Sequence, residues 1–194
     1  ITVSGDVQMA EIMDWLNKEL PDNAIICNGA GNYTGWVHRF RRFRKFRSQL
    51  APTNGAMGYG VPAAVGAKLV YPDRQVIAFA GDGCFMMNGQ ELATAVQYGS
   101  NIITIVVNNG MFGTIRMHQE RNYPHRVSAT ELSNPDFVAL AKSYGAHGEL
   151  VTKTDEFAGA FQRASQSGKP ALIEIQIEQE LIAHNTTLSA LHAR

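Results

Sequence analysis

An excess of charge of one sign, cysteine and long apolar runs are what this chain lacks. It has 194 residues, with 17 Lys and Arg against 17 Asp and Glu, so its formal net charge at pH 7 is zero. That balance argues against a dedicated nucleic-acid binder, which carries a basic excess. The two cysteines, Cys27 and Cys84, are too few for a disulfide scaffold and suit a reducing compartment. No apolar run approaches the roughly 18 residues that would cross a bilayer, so no membrane association is expected. The first residues are not a basic stretch followed by an apolar one, so no secretion leader is expected and a cytoplasmic location is. Repeats and low-complexity linkers are absent too. What is present is a globular composition, 45% apolar and 18% charged, in a length that suits one domain over residues 1–194.

The apolar pattern alternates strands and helices. Met9, Ile12, Met13, Leu16 and Leu20 recur at helical spacing after Asp6, a candidate cap, and Pro21-Asp22-Asn23 ends that helix. Ala24 to Cys27 reads as a short strand, followed by the small-residue loop Asn28-Gly29-Ala30-Gly31-Asn32. Gln75 to Ala80 and Ile102 to Val107 read as strands; the second is apolar almost throughout, as in a strand covered on both faces. Helices are expected over Asn88–Tyr98, from Phe112 to Glu120, after Ser133-Asn134-Pro135-Asp136, and from Thr154 to Gly168. Ala171 to Ile177 is a last strand, and the tail from Glu178 shows no clear period. Strands separated by helices predict an α/β fold: a three-layer α/β/α domain with a mainly parallel sheet.

In such sheets ligands collect beyond the carboxyl ends of the strands. Four of these ends can be named: after Cys27, around Gly55, after Ala80 and after Val107. Gly81-Asp82-Gly83 follows one strand. Its glycines let backbone N–H groups approach a phosphate, and Asp82 supplies a hard carboxylate oxygen. Asn108-Asn109-Gly110 follows the next strand; Asn109 offers an amide oxygen, and the turn at Gly110 can free the Met111 carbonyl. Mg²⁺ uses sparse oxygen sets of this kind when substrate phosphates and water complete its octahedron. Each motif alone is an ordinary turn. Together they are sharper, because the 24 residues between Gly83 and Asn108 make one crossover, which puts the two loops side by side at one sheet edge.

These motifs resemble the thiamine-diphosphate-binding signature. Gly55-Ala56-Met57-Gly58-Tyr59-Gly60-Val61-Pro62-Ala63-Ala64 and Gln90-Glu91-Leu92-Ala93-Thr94-Ala95-Val96-Gln97-Tyr98 look like the acetolactate synthase branch of those enzymes. The resemblance runs from about Ala24 to Leu188 and covers only the family's C-terminal, diphosphate-binding domain. It implies the thiamine-diphosphate-binding fold, with thiamine diphosphate and Mg²⁺ as cofactors. Asp82, Asn109 and the Met111 carbonyl would hold Mg²⁺. Gly81, Gly83 and Cys84 would line the diphosphate, and Gly83 and Cys84 would offer N–H groups. Asn32 and Tyr33 fall at another diphosphate contact, where the synthases typically have Gln-His. Gly55 would accept from the cofactor's 4′-amino group, and Met57 would be the wedge that bends the cofactor into a V; the rival reading of Met57 is core filler. Thr114, Ile115 and His118 align with positions that line the active site. The synthases commonly have Trp at the place of His118, and pyruvate-decarboxylase-type relatives have a catalytic glutamate near Ile115 that is missing here.

The resemblance further implies decarboxylation of a 2-keto acid such as pyruvate, with transfer of the acyl unit to a second carbonyl. It implies a homodimer or tetramer, FAD bound off this chain where the complete enzyme carries it, and a pyrimidine-binding domain of a partner subunit that supplies the catalytic glutamate. That domain and the family's central domain are not part of the 194 residues, so the chain alone is expected to be inactive. Glu91 reads as a surface helix residue or local cap partner rather than that glutamate. Two rival readings stay open: the small subunit of a two-chain 2-keto acid decarboxylase, and a non-catalytic nucleotide- or nucleic-acid-binding α/β domain. The second lacks Gly-x-Gly-x-x-Gly after the first strand.

His38-Arg39-Phe40-Arg41-Arg42-Phe43-Arg44-Lys45-Phe46-Arg47 is the oddest segment. Phe recurs every third residue, and six of positions 39–47 are Arg or Lys. Nucleic-acid stacking and membrane-surface binding are the sharp readings. The reading adopted is a Phe stripe packed on a neighbouring domain with its charges solvated. His125 and His147 belong to no constellation visible in the sequence, and no Cys/His spacing matches a zinc site.

Overall fold

The structure is a computed structural model that describes residues 4–192. The order of elements is α1 (Met9–Glu19), β1 (Ile25–Asn28), α2 (Thr34–Phe40), β2 (Gln49–Leu50), α3 (Gly60–Val70), β3 (Val76–Gly81), α4 (Asp82–Asn88), α5 (Glu91–Gln97), β4 (Ile103–Asn108), α6 (Gly113–Asn122), α7 (Phe137–Ser143), β5 (His147–Val151), α8 (Glu156–Gln166), β6 (Ala171–Gln176) and α9 (Leu188–His192). The six strands form one sheet in the order β2-β1-β3-β4-β6-β5, and every pairing is parallel. Helices cover both sides, as the strand–helix alternation predicted.

The central strands explain the layering. Val76 to Ala80 on β3 and Ile103 to Val107 on β4 are buried without a break, so neither face of the sheet can be left to water. On α1, Met9, Ile12, Met13 and Leu16 are buried, and Trp15 meets Phe157 and Phe161 of α8 edge-on at 5.5 and 5.3 Å. The buried residues of α8 are Phe157, Ala160, Phe161 and Ala164, the apolar face read from the sequence. Helix α3 lies close on the sheet at Gly60. A Cβ there would stand 3.0 Å from Gly29 N and Phe79 O, so only glycine allows that approach.

The fold corrects several local expectations. Asp6 does not cap α1: the helix starts after Gln8, and the Asp6 carbonyl instead accepts from Thr154 N and Oγ1. The helix expected over Asn88–Tyr98 is α5 alone, and a separate helix, α4, opens directly at Asp82. The two are divided at Gly89, where a Cβ would meet the Phe85 ring at 2.6 Å. Helix α7 is capped by Asp136, whose Oδ1 accepts from Ala139 N at 2.8 Å, so Asn134 and Pro135 precede it. Besides α4, five elements had no forecast: α2, β2, α3, β5 and α9. Strand β2 has two residues, β5 carries Gly148 and Glu149, and α3 starts on Gly and Pro-containing sequence. Each has a weak or mixed period that tertiary pairing overrides.

Candidate cofactor site

The carboxyl ends of β3 and β4 are neighbours, with Gly81 in register with Val107, so the two predicted loops do meet. Asp82 is 2% exposed. Its Oδ1 accepts from Gly83 N at 2.9 Å; its Oδ2 accepts from Gly110 N at 2.9 Å and Asn134 Nδ2 at 2.8 Å. Burial pushes its carboxyl above the ordinary range, and the hydrogen bonds from Asn134, Gly83 and Gly110 oppose that push. In the other loop, Asn109 Oδ1 accepts from Met111 N at 3.3 Å, and the Met111 carbonyl accepts from Gly113 N at 2.9 Å.

Lone-pair arithmetic then bears on what the loops can hold. A carboxylate offers about four acceptor positions, and an amide or backbone carbonyl two. Three of Asp82's positions are filled, one at Asn109 Oδ1 and one at the Met111 carbonyl. Each of the three predicted oxygens therefore retains acceptor capacity for a cation. A hard divalent cation would also compensate the buried charge of Asp82.

These loops border a cavity of about 590 Å³, its solvent-open mouth included. Among its lining residues are the predicted Asn32, Tyr33, Met57, Gly81, Asp82, Gly83, Cys84, Asn109, Met111, Thr114 and Ile115. Gly55 and His118 do not line it. Gly55 sits in an exposed turn with φ +68°, and His118 is exposed on α6. Met57 is half-buried, packs against the main core and also faces the cavity, so filler and wedge are compatible.

Some predicted contacts have structural work that the sequence did not show. Asn32 Oδ1 accepts from Thr114 Oγ1 at 3.0 Å, and its Nδ2 donates to the Ile182 carbonyl at 2.8 Å. The side chain thus ties α6 and the tail to the first loop. The Tyr33 ring fills the space left by Gly31 and Gly81: a Cβ on either would fall about 3 Å from its carbons. Its hydroxyl lies 3.3 Å from Cys84 Sγ, which also accepts from Gly58 N at 3.2 Å. Cys84 therefore ties α4 to the Tyr33 and Gly58 segments through its sulfur. Burial, with Cys84 adding, holds the Tyr33 hydroxyl well above its ordinary pKa. Glu91 accepts from Thr94 Oγ1 at 2.7 Å, the local role expected of it.

The sequence reading missed Asn134, which donates from Nδ2 to both Asp82 Oδ2 and Asn108 Oδ1, and Glu174, which takes the Asn108 amide at 2.7 Å. It also missed Leu181, Ile182 and Ala183, which wall the cavity from the aperiodic tail. An isolated polar residue before a helix, or one mid-strand, gives no signal of such a role.

Comparison with known proteins follows the same lines. Residues 29–175 match the family model described as thiamine pyrophosphate enzyme, C-terminal TPP binding domain. The chain is 39% identical over 87% of its length to the acetolactate synthase large subunit of Corynebacterium glutamicum. It is 36% identical over 88% to the probable acetolactate synthase large subunit of Methanocaldococcus jannaschii, and 33% over 88% to the sulfoacetaldehyde acetyltransferase of Alcaligenes xylosoxydans xylosoxydans. It spans 28%, 29% and 29% of those proteins, so it matches less than a third of each.

Proposed function

Since the chain belongs to the thiamine pyrophosphate enzymes as their C-terminal cofactor-binding domain, we propose that it holds thiamine diphosphate through a Mg²⁺ ion at Asp82, Asn109 and the Met111 carbonyl. The observation that carries this reading is the acceptor capacity left on those three oxygens beside one cavity. The rest of the chain's part is positioning. Asn134 and Gly110 N hold Asp82 Oδ2, which fixes the carboxylate plane. The first turn of α4 would offer the Cys84 N–H to the diphosphate; the Gly83 N–H, expected to do the same, is instead donated to Asp82 Oδ1. Met57, which lines the cavity, would support the cofactor there, and the Gly55 carbonyl, which lies outside that cavity, would accept from the aminopyrimidine only where the partner subunit completes the site. Leu181, Ile182 and Ala183 exclude water from one wall.

When bound, thiamine diphosphate supplies an electron sink for cleaving the bond between a carbonyl and a carboxylate. On that chemistry the complete enzyme decarboxylates a 2-keto acid such as pyruvate and passes the acyl unit to a second carbonyl. The names of the relatives, synthase and acetyltransferase, favour transfer over simple release. The glutamate that serves the aminopyrimidine comes from the pyrimidine-binding domain of a partner subunit in a homodimer or tetramer. Among the described residues, the cavity lining contains no glutamate. His118 reaches substrate only where such a partner completes the site.

Titration calorimetry of the chain with thiamine diphosphate tests this. Binding is expected with Mg²⁺, to vanish without it, and to be lost in Asp82→Ala. Equal affinity with and without the cation overturns the assignment.

A further inference from the structure

At the far end of α6, three residues converge that the cofactor role does not use. The Glu120 side chain is 1% exposed. Its Oε1 accepts from Arg116 Nε at 2.8 Å; its Oε2 accepts from His192 Nε2 at 2.7 Å and His125 N at 3.0 Å. The rings of His125 and His192 lie 4.3 Å apart between centroids. One oxygen of Glu120 and one nitrogen of each histidine ring all fall within 4.8 Å of one another.

We propose that Glu120, His125 and His192 bind a borderline transition-metal cation of the Zn²⁺ class, which clasps α9 to α6. Two imidazoles and one carboxylate select such a cation over Mg²⁺, which prefers oxygen ligands throughout. Arg116 occupies Oε1, so Glu120 ligates through Oε2 alone, and water completes a tetrahedron. The cation takes the place of the proton between His192 Nε2 and Oε2 and releases it to solvent. Bonds of about 2.0–2.2 Å require the three atoms to draw closer than they stand. Both rings are free to do so: His125 is exposed, and the His192 side chain is 28% exposed. The remaining charges around the cluster are balanced in sign. Arg116 adds one positive charge. Glu180, whose carboxyl is drawn down by Ser189 and also by His192, adds a negative one.

The clasp has a mechanical consequence. Leu188 and Leu191 of α9 pack with Ile182 and Met111 in a small apolar cluster of their own. A cation at Glu120 therefore secures the element that backs a cavity wall and the Met111 loop.

Co²⁺ titration of the untagged full chain, followed by visible absorption, tests the site. Saturation at one ion per chain with d–d bands of low-symmetry coordination is expected, with Zn²⁺ displacing Co²⁺. His125→Ala and His192→Ala should each weaken binding by at least about tenfold, with unchanged circular dichroism because both rings are at the surface. Asp82→Ala should leave this binding intact, which separates it from the cofactor assignment. No saturable binding by the wild type, or wild-type affinity in both histidine variants, overturns the proposal.

Discussion

Asp82 is a buried charge whose geometry depends on a residue 52 positions away. Asn134 splits its amide between Asp82 Oδ2 and Asn108 Oδ1, and Asn108 passes the chain on to Glu174. Removing one partner leaves acceptors buried and underused, which costs about 1–3 kcal/mol. Asn134→Ala is expected to lose that much in urea unfolding and to weaken Mg²⁺ binding as Asp82 loses its anchor. The same residue shows where the sequence stopped being legible. That the Asp82 loop and the Asn109–Met111 loop meet could be read from strand ends and one crossover, because local spacing fixes it. Asn134 was only one residue of the helix-start run Ser133-Asn134-Pro135-Asp136; Asp136 caps α7, and the Asn134 amide reaches Asp82 and Asn108 instead. Glu120, His125 and His192 were hidden for a similar reason, with 66 residues between the two histidines. Cys27 offers a simple check on burial at this scale. With its thiol pushed up to about 12 by desolvation, it should stay unmodified by iodoacetamide at neutral pH in the native state and react on unfolding.

At the scale of elements, α3 and α9 make opposite demands. Helix α3 is seated by the absence of a side chain at Gly60. Gly60→Ala drives a methyl onto backbone atoms of two strands at 3.0–3.1 Å, and an overpacking loss of about 1–3 kcal/mol is expected, read as a lowered urea midpoint. Helix α9, by contrast, is held by a charged contact. The Glu120 carboxyl falls from 4.5 to about 2, chiefly through the His125 N–H. A group whose folded pKa is depressed stabilises above its unfolded value and loses that contribution as pH falls through the folded one. Wild type should therefore exceed Glu120→Gln in stability by a constant margin above about pH 4.5, with the margin closing toward pH 2 in acid unfolding curves. Helices α1 and α8 were legible because their stripes are long and regular. Strands β2 and β5 were not, since an edge strand of two residues, or one bearing Gly148 and Glu149, takes its form from its neighbour.

For the molecule as a whole, the basic segment is the surface that looks outward. Arg41 is buried and donates from Nη1 to the Leu16 carbonyl and Asn17 Oδ1, and Phe40 packs on the core beside Trp36. Phe43 is 36% exposed and Phe46 88%, so the Phe stripe is split: its first ring belongs to this domain and its last faces solvent. Phe46→Glu should leave the Tm of this chain nearly unchanged while weakening self-association of the complete enzyme in analytical ultracentrifugation. Unaltered association would show that the stripe serves no subunit contact. Among the described residues, no helix is long and apolar enough to cross a membrane.

The all-parallel order β2-β1-β3-β4-β6-β5 also sets how the chain must reach its fold in time. Among the described residues, no two paired strands are joined by a hairpin; even β1 and β2 are separated by the whole of α2 and its basic loop. Every ladder therefore waits on the closure of a long loop, an entropy cost met before any pairing repays it. Until β3 and β4 find each other, two uninterrupted apolar strands stand unpaired, and at that stage they are as able to pair with another molecule as with their own neighbours. Refolding is thus a race between intramolecular crossover and intermolecular association, and its yield falls as protein concentration rises.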